Sequence, residues 1–405
     1  MFLPCCAEGP PRVIGVLRQL TPLPYHSAVT TILESEHPKA FAALSSGPIG
    51  GDDLDQALLR STYRLDPTSH PGAHAQLARA AEALGVTVPV ELYAGESGDK
   101  PNAELVFVPD RAIVVLTGGL SDLLADDELC AVMGHELSHH VLWTSEGGRH
   151  LVASRLLEAS ETDARTSGEY LETARRFRLA TELYADRGAL LATGLVEPAV
   201  GGLLKLATGM KQVDPGAYLR QAAEVDLTSG SAGQTHPENV LRSWALQQWH
   251  AHGDDAEEAV AAAIGPPLDL AALDLLGQDA LRDLTRELAG QATQVEELRS
   301  PESMELAERY GAEVPASPAA LSELTDDDLS TLPPDTRRYL CAVLADLATS
   351  DPDAPRSALA AAVAVAMVKK LDTDLVKFLV AELGLGDRER TAVVADARGL
   401  VAGAA

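Results

Sequence analysis

The chain has 405 residues, 46% of them apolar but only 4% aromatic, and a formal net charge of −28. At about 150 residues per domain that length makes two or three globular domains, and few aromatics beside abundant alanine predict cores of helices packed through Ala, Leu and Val. A charge of this size and sign repels nucleic acid and anionic membrane, which excludes both as partners.

At the N-terminus, Met1-Phe2-Leu3-Pro4-Cys5-Cys6 has neither the basic region nor the long apolar core of a secretory signal, so the expected compartment is the cytoplasm. Cys5, Cys6, Cys130 and Cys341 have no spacing of a disulfide framework or a thiolate zinc site. Residues 1–60, broken at Gly47-Pro48-Ile49-Gly50-Gly51, read as a leader that packs on the next domain. Apolar residues then recur at helical spacing from Ala73 to Leu84, with Gly85 as the stop. Val86 to Leu92 is strand-like and is followed by a Gly-rich turn at 95–98. Leu105 to Val108 and Ile113 to Leu116 read as two short strands joined through residues 109–112, a hairpin.

The next stretch carries chemistry. His135-Glu136-Leu137-Ser138-His139 is H-E-x-x-H, inside a run whose stripe of Leu129, Val132, Met133 and Leu137 predicts a helix with Asp126 as N-cap. Residues four apart share a helix face, so His135 and His139 can reach one metal while Glu136 serves as general base. His140 points about 100° round the helix from His139 and reads as a non-ligand. Catalytic zinc needs a third protein donor. The continuation H-E-x-x-H-x-x-G-x-x-H is excluded, because Leu142 and Ser145 stand at its glycine and third histidine.

Residues 144–170 are polar and charged and read as a helical excursion over the cleft. Between Leu171 and Thr193, Leu179, Leu183 and Leu190 form an apolar face, and Glu182 and Asp186 lie four apart on or beside it. Such an acid pair is costly unless a metal and its histidines neutralise it. Thr235-His236-Pro237 precedes Arg242, and His236 also suits a helix start with proline in the first turn. Beyond about residue 253, Ala/Leu-rich helical segments are separated by Pro-rich breaks, and no histidine follows His252. The longest uncharged apolar run, Ala358 to Val368, is far short of the roughly 20 residues that cross a bilayer.

Gly134-His135-Glu136-Leu137-Ser138-His139-His140 with Glu182-Leu183-Tyr184-Ala185-Asp186 resembles the paired motifs of the HtpX-like and CAAX prenyl protease family of zinc metallopeptidases. Pro101-Asn102-Ala103-Glu104 with Arg111 to Leu120 resembles the hairpin before that family's metal helix. Thr235-His236-Pro237 with Arg242 resembles its late H-P-x-x-x-x-R element. The resemblance covers about residues 60–250. It implies Glu182 as third ligand to one zinc, Asp186 as its support, and an edge strand at Asn102, Ala103, Glu104, Leu105 and Val106 that pairs with an extended peptide. It also points to His236 and Arg242 as donors to the developing oxyanion, with pairing of Arg242 to Asp186 or Glu182 as the other role.

The resulting expectation is a mainly α (α+β) chain. Residues 1–60 are the leader, 61–252 a zincin-like catalytic domain with a small sheet and metal-binding helices, and 253–405 an all-helical accessory domain for a protein partner or self-association. The expected function is a soluble zinc endopeptidase acting on peptides or proteins. A latent or autoinhibited zinc scaffold working through the C-terminal helices is the alternative, and a metal-independent adaptor would require every motif match to be coincidence.

Overall fold

The computed structural model describes residues 20–46, 52–95, 100–225, 237–265, 268–351 and 356–404. The chain divides into two compact units, residues 1–266 and 267–405. In the first, α1 (Pro24–Glu36) and α2 (Pro38–Ser45) each open on a proline, whose missing N–H is harmless at the first helical position. α3 (Asp52–Ser61) runs into β1 (Thr62–Arg64). α4 (Pro71–Leu84) ends on Gly85 at φ 68°, which lets the Val86 N–H bond back to Ala81 O at 2.9 Å. That donor is spent on the helix, so β2 spans Val90–Gly95 rather than starting at Val86. β3 (Asn102–Val108) and β4 (Arg111–Thr117) form the expected hairpin through the two-residue turn Pro109-Asp110.

The sheet order is β1-β2-β4-β3; β2 and β4 are parallel, and the two outer pairs are antiparallel. β3 therefore has an open edge. One face of the sheet packs Leu92, Ala112, Val114 and Leu116 against α4 and the next long helix; the other covers Ile113 and Val115 with Leu58 of α3.

After α5 (Leu120–Leu123) comes α6 (Asp126–Thr144), the H-E-x-x-H helix. Its N-cap is Ala125, one residue before the Asp126 expected, because the Glu128 carboxylate reaches back to the Ala125 N–H at 2.7 Å. α7 (Arg149–Glu161) does not overlie the cleft as expected. It packs against α1, α2 and α8 (Gly168–Thr193), and His150 pairs with Thr30 at 3.0 Å. Then follow α9 (Val196–Thr208), α10 (Pro215–Ala223), α11 (Pro237–His252) and α12 (Glu257–Ile264). A second core within this unit joins α1, α8, α9 and α11 through Tyr25, Leu183, Val200, Leu246 and Trp249.

The second unit is helical among its described residues: α13 (Leu275–Ala292), α14 (Pro301–Arg309), α15 (Pro334–Thr349), α16 (Arg356–Val368), α17 (Asp372–Leu383) and α18 (Asp387–Ala404). The apolar run noted above is α16, which is buried from Ala360 to Ala366 and forms the centre of an Ala/Leu/Val core. No described helix is long and apolar enough to cross a membrane.

Candidate metal centre

Two helices meet at the site because each carries a glycine where they cross. A Cβ on Gly134 of α6 would stand 2.6 Å from Ala192 Cβ, and one on Gly188 of α8 would overlap the Ser138 hydroxyl. Each glycine lies next to a motif, Gly134 before His135 and Gly188 two residues after Asp186. The close approach thereby sets the H-E-x-x-H face against the acids of α8.

His135 and His139 stand one turn apart with their Nε2 atoms 3.3 Å from each other. Glu182 Oε2 lies 3.5 Å from His135 Nε2, and its Oε1 lies 3.8 Å from His139 Nε2. The three donor atoms fall within 4.8 Å of one another, a two-nitrogen, one-oxygen set that suits a divalent ion with a position left for water. Asp186 accepts from His135 Nδ1 at 3.0 Å, which puts the Nε2 lone pair on the side of the other donors. Arg242 of α11 donates from Nε and Nη2 to the two Asp186 oxygens at 2.6 and 2.8 Å, and its Nη1 lies 3.1 Å from Glu182 Oε2.

Electrostatics tell the same story. Burial alone would lower His135, but the hydrogen bond and charge of Asp186, with those of Glu182, raise it to about 10: the cradle favours a cation there. His139, buried and beside His135, is pushed down to about 4. Glu182 and Asp186 resist their burial and are held below the usual carboxylate range, chiefly by Arg242 with His135. Burial pushes Glu136 up to about 7 against the pull of His135, and the Leu105 backbone N–H favours its charged form. The donor set therefore fits a metal both by position and by charge.

These groups border a cleft of about 480 Å³. One side is Asn102, Ala103, Glu104 and Leu105 of β3; Val106, expected to join them, does not line it. Val108 and Arg111 flank a two-residue turn and so form a hydrogen-bonded pair, and alternation sends the backbone groups of Ala103 and Leu105 outward and those of Val106 toward Ile113. His140 is buried and donates from Nε2 to Val108 O at 3.1 Å, away from the metal-binding trio. His236 lies outside the described residues.

Sequence reasoning missed Trp143, Asn239 and the α9 residues Leu203 and Leu206, which also line the cleft. Trp143 stacks on His139 with ring centroids 6.4 Å apart. Helical spacing could have found the first two: Trp143 is four residues after His139 and Asn239 three before Arg242. Nothing local marks the leucines.

The family model described as Peptidase family M48 matches residues 67–250. Among curated proteins, the chain is 32% identical over 197 residues to the plastoglobule-localized metallopeptidase 48, chloroplastic, of Arabidopsis thaliana, a match covering 44% of this chain. The chain spans about half, 56%, of that relative's length. No solved structure matches. The resemblance seen in the sequence is upheld over the segment that holds the whole cluster: residues 67–250 of this chain match the peptidase family M48 model.

Proposed function

We propose that this chain is a zinc-dependent metalloendopeptidase. One observation carries the reading: His135, His139 and Glu182 converge within 4.8 Å, and Glu136 lies beside them in a cleft bordered by the open edge of β3. When bound by these three residues, zinc supplies Lewis-acid chemistry, lowering the pKa of a coordinated water from 15.7 toward about 7 and polarising a carbonyl oxygen. Glu136 takes the proton from the attacking water and later gives it to the leaving amine nitrogen, a transfer favoured by a carboxyl whose pKa lies near 7. The outward backbone groups of Ala103 and the carbonyl of Leu105, whose N–H is engaged by Glu136, pair with an extended peptide and hold its carbonyl against the site. Asp186 fixes the His135 ring, and Arg242, engaged with both acids, positions Glu182 and Asp186. His236 is proposed as the additional donor to the developing oxyanion.

Quenched-peptide cleavage by the purified chain and its Glu136→Gln variant tests this reading. The wild type should cleave, a chelator should stop it, and the variant should retain its metal while losing activity. Equal cleavage by both proteins would remove Glu136 from its role. Elemental analysis of the protein as isolated decides between zinc and other divalent ions. Cytoplasmic placement, and partner binding or self-association through residues 253–405, are carried forward as proposals for cell fractionation and size-exclusion measurements.

A further inference from the structure

One wall of the cleft is aliphatic. On α9, Ala199, Leu203, Leu206 and Ala207 follow the i, i+4, i+7, i+8 spacing of one helix face, and all four line the cleft that holds His135, Glu136 and His139. Leu203 and Leu206 are only half-buried, so the fold leaves their carbon uncovered where water could be displaced. The cation of this helix is turned away: Lys205 is buried, with Nζ 2.7 Å from Glu128 Oε2 and 3.2 Å from Leu123 O.

Two adjacent glycines set the wall firmly on α6. A Cβ on Gly202 would stand 3.1 Å from Val132 Cγ2, and one on Gly201 would stand 2.7 Å from Glu128 Oε1. The contact falls within two turns of His135, so the aliphatic face cannot retreat from the metal-binding trio without breaking helix packing. The charged groups of the cleft are mostly acidic, Glu104, Glu136 and Glu182 among them, and Arg242 is committed to the acids of α8.

We propose that the α9 wall is a side-chain subsite, and that the substrates of this chain are peptides with a bulky apolar residue next to the scissile bond. The inference rests on the peptidase reading above. An extended peptide alternates its side chains between two faces, so a chain paired to β3 sends every second residue toward α9. Apolar side chains there gain burial against Leu203 and Leu206, whereas an aspartate meets carbon and like charge.

The test uses the full chain and a peptide series varied only at the two residues flanking the cleaved bond, with Leu, Phe, Ala, Asp or Lys at each. Two readouts are taken: kcat/KM with the wild type, and the Kd of intact peptide to the Glu136→Gln variant by fluorescence anisotropy. At one flanking position Leu or Phe should exceed Asp by about 10- to 100-fold in both, the scale of burying one such side chain. Leu203→Arg should reverse the order toward Asp, and the milder Leu206→Ala should shrink the Leu advantage several-fold. Cleavage without side-chain preference, or a preference unchanged by both variants, overturns the subsite and leaves the peptidase reading standing. Selective binding without cleavage overturns the peptidase reading and supports the wall; absence of selectivity in both readouts overturns the wall.

Discussion

Asp186 links the proposed metal ligands to the rest of the protein, because one carboxylate accepts from His135 and from Arg242 at once. Asp186→Asn keeps the shape but weakens both contacts, and should lower metal affinity about 10- to 100-fold, read by competition with a chromogenic chelator. Arg242→Ala is harsher, since it leaves the buried Asp186 and the half-buried Glu182 carboxylates with less compensation. Denaturant unfolding should show a loss of about 3–5 kcal/mol. His26 reports on pH. The Leu23 N–H donates to His26 Nδ1 at 3.2 Å, so that nitrogen carries no proton, and Nε2 donates to Thr181 Oγ1 at 3.3 Å. Burial, then the charge of His150, lowers this imidazole to about 3. Its folded pKa lies below the unfolded value of 6.5, so its stabilisation is present above pH 6.5 and is lost as pH falls toward 3. The slope is about 1.4 kcal/mol per pH unit for this group. Melting temperature should drop between pH 7 and pH 5, and less so in His26→Gln.

At the scale of elements, the site depends on how closely α6 and α8 approach. Gly188→Ala inserts a methyl group where Ser138 already sits and must push the helices apart. Stability should fall by about 1–3 kcal/mol, and metal occupancy should fall with it because Glu182 moves with α8. Unchanged metal content in a folded Gly188→Ala protein would show that the crossing does not set the ligand geometry. β3 offers a second test, in which backbone direction decides the outcome. Ala103→Pro removes an outward donor from the open edge and should weaken peptide binding with little loss of stability. Val106→Pro instead removes a donor directed to β4 and should destabilise the sheet.

For the whole molecule, each unit has cores of its own, those of the first built on the sheet and on α6 and α8 and that of the second on α16. Calorimetry of the full chain should show two transitions, and a chelator should lower only the one belonging to residues 1–266, since a bound ion stabilises the unit that holds it. A single transition that shifts as a whole would mean the two units unfold together.

Much of the region matching the M48 model was legible because its signals are local. H-E-x-x-H at helical spacing, Glu182 and Asp186 four apart, Gly85 as a helix stop and the Pro109-Asp110 turn all lie within a few residues of what they specify. The segment at 144–170 was misplaced for the complementary reason. Its polarity said only that it meets water, while buried contacts such as His150 with Thr30 tie it to α1 on another side of the unit. By itself, then, the sequence determined the candidate metal-binding residue types, their helices and the mainly helical fold, because periodicity and turn chemistry act at short range. Only the tertiary structure decided the rest: Arg242 beside the acids of α8, the outward face of β3, and α9 as the cleft's aliphatic wall. Those depend on approaches between segments far apart in the chain, glycine-mediated where α9 meets α6, where shape, not spacing, sets what touches.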